Sequence, residues 1–215
     1  MAKTNIAAPG ILVAFDQRCI EGGSSLTDRS TGTFQVRGQR LLGARFCASP
    51  NHNARPAGCT IDLVVLHNIS LPPGEYGTGC VARFFQNGLD PAEHPYFATI
   101  AGLEVSAHLL IERSGAVVQF VPFDRRAWHA GQSCWQGRSN CNDFSIGIEL
   151  EGTDQQPYSD AQYAVLAEVI AILQRHYPGI TPERIVGHSD IAPGRKTDPG
   201  PAFDWPRLRA QLPSV

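Results

Sequence analysis

IDLVVLHNIS, residues 61–70, carries an unbroken apolar run from Leu63 to Leu66 that ends on His67. A run this rich in Val and Leu predicts a strand buried on both faces, as at the centre of a sheet covered by helices. His67 stands where that strand gives way to LPPGEYGTG (71–79), which its prolines and glycines assign to a loop. Outward from this strand, CVARFFQNGL (80–89) predicts a short helix with Gly88 near its end. VSAHLLIE (105–112), RSG (113–115) and AVVQFVP (116–122) predict a hairpin, with His108 inside its first strand. SIGIELEG (145–152) alternates, with Ile146, Ile148 and Leu150 on one face and Gly147, Glu149 and Glu151 on the other. SDAQYAVLAEVIAILQRHY (159–177) repeats apolar residues at helical spacing; Ser159 can cap its start and Pro178-Gly179 stops it. TPER (181–184) offers a capping Thr with Pro at the first helical position, and IVG (185–187) follows as a short apolar segment. These elements predict an α/β (α+β) fold: one sheet with buried central strands, flanked by helices.

The chain has 215 residues, enough for one domain with some excess. A formal net charge of −2 gives no electrostatic footprint for nucleic acid or an anionic membrane. No apolar run approaches the roughly 18 residues that span a bilayer. The early run Ile11 to Phe15 is too short for a secretion signal and is followed at once by Asp16 and Arg18, which predicts a cytoplasmic protein. The six cysteines contain no C-x-x-C pair and read as reduced thiols rather than a zinc knuckle. Residues 1–36 are turn-rich, without helical or strand period, and are expected to form an extension of unassigned role before a domain over 37–215.

Familiar catalytic signatures are missing. The sequence has no H-E-x-x-H and no phosphate-binding glycine motif, and GHSDI (187–191) fails G-x-S-x-G at its last position. Polar chemistry instead concentrates in GHSDIAPGRKTDPG (187–200), where His188 and Asp198 lie too far apart to share a helical turn. On spacing alone, His67, His108 and His188 each read first as a hydrogen-bonded structural histidine. Asp198 admits two readings equally: a plain Asp-Pro turn, or a fixed ligand framed by the rigid turns of Pro199-Gly200-Pro201 and Pro193-Gly194.

Five blocks, VVLHNISLPPG, VSAHLLIERSG, RAWHAG, CNDFSIGIELEG and GHSDIAPGRKTDPGPAFDW, together resemble the AmpD-type N-acetylmuramoyl-L-alanine amidases. The likeness runs from about Arg37 to Leu212, with the blocks in family order. It implies the peptidoglycan-recognition and amidase fold as a single domain with a mixed central sheet. It implies one zinc ion per chain, with His67, His188 and Asp198 as metal ligands, Glu149 as general base and Lys196 as donor to a developing oxyanion. Alternation does not choose between Glu149 and Glu151; the G-I-E-L-E-G block selects Glu149. Asn68, Trp128, His129 and Arg195 are expected to bind substrate, while His108 supports the sheet. The implied substrate is a muropeptide in its anhydromuramoyl form, cleaved between N-acetylmuramic acid and L-alanine during cell-wall recycling. A secreted or phage-type amidase on intact wall, and a non-catalytic peptidoglycan-binding module, are the alternatives. Two departures from the family stand out: Ser189 replaces a frequent cysteine, and residues 1–36 have no counterpart.

Overall fold

The structure is a computed structural model that describes residues 34–212. The expected extension therefore lies outside the described residues except for 34–36, and the boundary expected at residue 37 falls within the first strand. In chain order the elements are β1 (Gln35–Arg37), β2 (Arg40–Leu42), β3 (Arg45–Phe46), β4 (His52–Ala54), β5 (Leu63–Ile69), α1 (Cys80–Phe85), α2 (Pro95–Thr99), β6 (Leu109–Ile111), β7 (Val117–Gln119), β8 (Arg125–Ala127), β9 (Cys134–Trp135), β10 (Arg138–Ser139), β11 (Ser145–Glu151), α3 (Asp160–His176), β12 (Ile185–Gly187), α4 (His188–Ile191) and α5 (Trp205–Gln211).

Six of these strands form a mixed sheet in the order β12-β5-β11-β6-β7-β3. The strand that begins at Leu63 is central, parallel to both β12 and β11. β6 and β7 form the expected antiparallel hairpin. Its first strand is shorter than VSAHLLIE suggested, because the Ser106 amide turns away to donate to the Trp128 carbonyl at 3.1 Å.

The two faces of the sheet have different fates. On one, Val64, Leu66, Ile146, Ile148, Leu150, Leu109 and Ile111 pack against Leu166, Ile170 and Leu173 of α3 and Leu208 of α5. Each such fully buried aliphatic side chain contributes about 1.5–3 kcal/mol of transfer free energy. α3 forms where its periodicity puts it, and Ser159 closes a complete capping box with Gln162. The opposite face breaks its apolar packing into two clusters. Leu63, Val65, Val186 and Ile191 gather on one side; Leu110, Val118 and the α1 residues Phe84 and Phe85 gather on the other. His67 of β5 and Ser145, Glu149 and Glu151 of β11 lie on this divided face. TPER gives a single 3-10 turn over Pro182–Arg184 with Thr181 at its N-cap and Pro182 in its first turn, but the Thr181 side chain bonds to the Glu183 carboxyl rather than capping a backbone amide.

Candidate metal centre and its cleft

β5 and β11 run in parallel register, with Glu149 opposite His67, Gly147 opposite Val65 and Ser145 opposite Leu63. His67 and Glu149 therefore project from neighbouring strands on the same face. β12 lies on the other side of β5, and its last residue, Gly187, delivers His188 as the first residue of α4. A Cβ on Gly187 would stand 2.8 Å from Pro199 Cδ, so glycine lets the returning loop close onto the strand end. Asp190 caps α4 by accepting from the Gly187 amide at 2.7 Å, a structural task. Ser189 donates its amide to the Asp198 carbonyl at 3.0 Å, tying the two ends of the loop together.

The result is a tight cluster. His67 Nδ1 lies 2.9 Å from His188 Nδ1 and 3.1 Å from Asp198 Oδ2, and His188 Nδ1 lies 3.0 Å from the same oxygen. Atoms bound to one tetrahedral zinc at about 2.0–2.1 Å stand about 3.3 Å apart, so the triangle has the size such an ion needs. Its electronics agree. His188 Nε2 faces the Ala130 carbonyl at 3.1 Å, so in the neutral ring Nε2 carries the proton and Nδ1 turns a lone pair toward a carboxylate. A cation between them resolves that clash. Among the described residues this is the one His/Cys/Asp/Glu group with ligand atoms so placed.

Burial sets the charge states. It pulls His67 down to about 4, partly offset by Asp198. Glu149 is pushed well above the usual glutamate range by burial and then by Asp198, with Lys196 pulling the other way. The Glu149 Oε2 atom is buried and has no hydrogen-bond partner among the described residues. Glu151, on the same face, is different: its two oxygens accept from the Gly77 amide at 2.6 Å and the Arg113 amide at 3.1 Å.

All nine residues expected at the site line one cleft of about 610 Å³. Its apolar wall includes Phe84, Tyr96, Ile100, Leu103 and Trp128. Lys196 is exposed on the loop, where its amide closes a turn on the Ala192 carbonyl. The four expected substrate contacts are tied down to different degrees. Asn68 Nδ2 donates to Asp154 Oδ1 at 2.7 Å and to the Pro199 carbonyl at 3.1 Å, so its amide hydrogens brace the loop and only its Oδ1 remains for a ligand. Arg195 Nη2 is held by the carbonyls of Ala130 and Gln132. Trp128 is half-buried with its Nε1 toward Asn53 Oδ1. Both ring nitrogens of His129 face protein groups, His67 Nε2 at 2.9 Å and Ser145 Oγ at 3.1 Å. The braces from Asp154 and Tyr158, whose hydroxyl donates to the Pro199 carbonyl at 2.7 Å, had no signal in the sequence pattern.

The profile of the family described as N-acetylmuramoyl-L-alanine amidase matches residues 57–201. The chain belongs to that family. The 1,6-anhydro-N-acetylmuramyl-L-alanine amidase AmpD of Enterobacter cloacae is 59% identical over 172 residues, which cover 80% of this chain and 91% of that protein. A crystal structure of AmpD superimposes with a TM-score of 0.81 at 55% identity, covering 83% of this chain and 99% of that one. AmiD from E. coli, solved with anhydro-N-acetylmuramic acid-L-Ala-D-gamma-Glu-L-Lys as substrate, matches with a TM-score of 0.53 at 29% identity, over 83% of this chain and 65% of that one. Among the described residues, no helix is long and apolar enough to cross a membrane.

Proposed function

We propose that this chain is a zinc-dependent amidase that hydrolyses the bond between 1,6-anhydro-N-acetylmuramic acid and L-alanine in muropeptides, in the cytoplasm, during peptidoglycan recycling. One observation carries the reading: His67, His188 and Asp198 converge within 3.1 Å beside a buried glutamate whose Oε2 is unpartnered. Two imidazoles and one carboxylate, with a coordination position left open, form a donor set of the catalytic zinc type. Zinc bound there supplies a Lewis acid that polarises a carbonyl and makes water acidic enough to attack near neutral pH.

The chain's own residues do the rest. Glu149 takes the proton of the attacking water and returns it to the nitrogen of the departing L-alanine. A carboxylate pushed upward by burial suits both halves of that transfer, because acid–base catalysis is most effective when the pKa lies near the working pH. Lys196 places a positive charge at the cleft where the carbonyl oxygen gains negative charge. The apolar wall limits water in the cleft, and the loop braced by Asn68 and Tyr158 keeps Asp198 in register with both histidines. The identity to AmpD supports the anhydro form of the substrate. The test pairs anhydromuramoyl tripeptide with its non-anhydro counterpart. Release of L-alanyl peptide from the first and slower release from the second is expected, and equal rates would remove the anhydro specificity.

A further inference from the structure

His129 is the histidine of this cluster that the proposed chemistry leaves without a task. Its surroundings define one. Ser145 Oγ lies 2.6 Å from the Cys141 carbonyl, so the hydroxyl proton sits between those two oxygens. Ser145 Oγ is then the acceptor for His129 Nε2 at 3.1 Å. A neutral imidazole that donates from Nε2 presents a lone pair at Nδ1. That lone pair faces His67 Nε2 at 2.9 Å, so His67 donates from Nε2 and its Nδ1 is bare toward His188 and Asp198.

The placement is built from several directions. The amides of His129 and Ala130 both donate to the side-chain oxygen of buried Asn142, at 3.1 and 2.8 Å. This one segment serves both histidine ligands, since the Ala130 carbonyl receives His188 Nε2. Beneath the His129 ring lies Gly147, where a Cβ would fall 2.4 Å from His129 Cγ. His108 holds Gly147 in place, accepting its amide at Nδ1 and donating its own amide to the Gly147 carbonyl, both at 3.0 Å.

We propose that His129 is a positioning residue that holds His67 as its Nε2–H tautomer, so that Nδ1 is the atom offered to the metal, and that Gly147 is the clearance that lets it stand there. The role rests on the reading of His67 as a zinc ligand. Partners that orient a ligating histidine are usually carboxylates or carbonyls, and their loss weakens metal binding by about 10–100-fold. Here a second imidazole takes that place.

The first test uses metal-free wild-type protein with nitrogen-15 histidines at about pH 8, where exposed imidazoles are neutral. Long-range proton–nitrogen correlation is expected to find both His67 and His129 protonated at Nε2; His67 protonated at Nδ1 would overturn the proposal. The second test measures zinc affinity by competition with a chelator. His129→Phe, which removes the acceptor, is expected to bind zinc about 10–100-fold more weakly. His129→Asn, whose side-chain oxygen falls near the former Nδ1, is expected to stay within a few-fold of wild type, and Gly147→Ala to weaken binding by displacing the ring. Unchanged affinity in His129→Phe, or equal loss in the Phe and Asn variants, would overturn the role. The tautomer result needs no variant to fold. Absence of zinc binding by the wild type would instead refute the metal reading while leaving the tautomer result standing.

Discussion

Glu149 and Glu151 stand two residues apart on one face of one strand, yet they meet opposite surroundings. Two backbone amides fix both oxygens of Glu151, while Glu149 keeps a buried oxygen free at the cleft. Alternation alone had no means of separating them, because the distinction comes from loops at Gly77 and Arg113 that fold over from elsewhere in the chain. Glu149→Gln removes the proton acceptor and leaves the metal triangle intact. Its turnover is expected to fall about 10²–10⁴-fold, with metal content by mass spectrometry still one equivalent; undiminished turnover would move the base elsewhere. Lys196→Ala is expected to lower turnover about 10²–10³-fold, with little change in metal content. A defect confined to KM would mean that Lys196 only binds substrate.

The elements around the site were legible to different depths. The run Leu63 to Leu66 announced a central strand because burial on both faces leaves no room for polar residues before His67. The α3 repeat and its Ser159 cap were equally plain, since both depend on local spacing. The strand expected over residues 105–108 fails because of a partner distant in sequence, the Trp128 carbonyl that draws off Ser106; TPER places Thr181 and Pro182 as expected, but the Thr181 side chain bonds to Glu183 instead of capping. Order along the chain also hid the metal triangle, because a parallel β5–β12 pair is what places His188 beside His67. The family resemblance supplied the ligand set that spacing left open. Ser159 tests the part that was legible: Ser159→Ala loses its bond to the Gln162 amide and is expected to lower unfolding stability by about 1 kcal/mol in urea, without altering metal affinity.

At the scale of the whole molecule, the site places several buried ionisable groups in a marginally stable fold. In metal-free protein, burial holds His67 near 4 and keeps His108 and His129 well below their usual range. The unfolded chain protonates each of them near pH 6.5, so it binds more protons and stability falls as pH drops below that value. Glu149 works in the opposite direction, retaining its proton when folded and losing it above about pH 4.3 when unfolded. Of these four groups, the three histidines outweigh the one glutamate, so unfolding takes up protons and stability falls as pH drops from about 6 toward 4.5. Urea midpoints that stay level across that window would contradict neutral burial of the histidines. The most direct test of the amidase reading is a titration of zinc into metal-free protein while L-alanyl peptide release from anhydromuramoyl tripeptide is followed. Activity is predicted to be absent at the start, to rise linearly with zinc and to level off at about one equivalent per chain. Full peptide release before any zinc is added, or none at saturation, would contradict it.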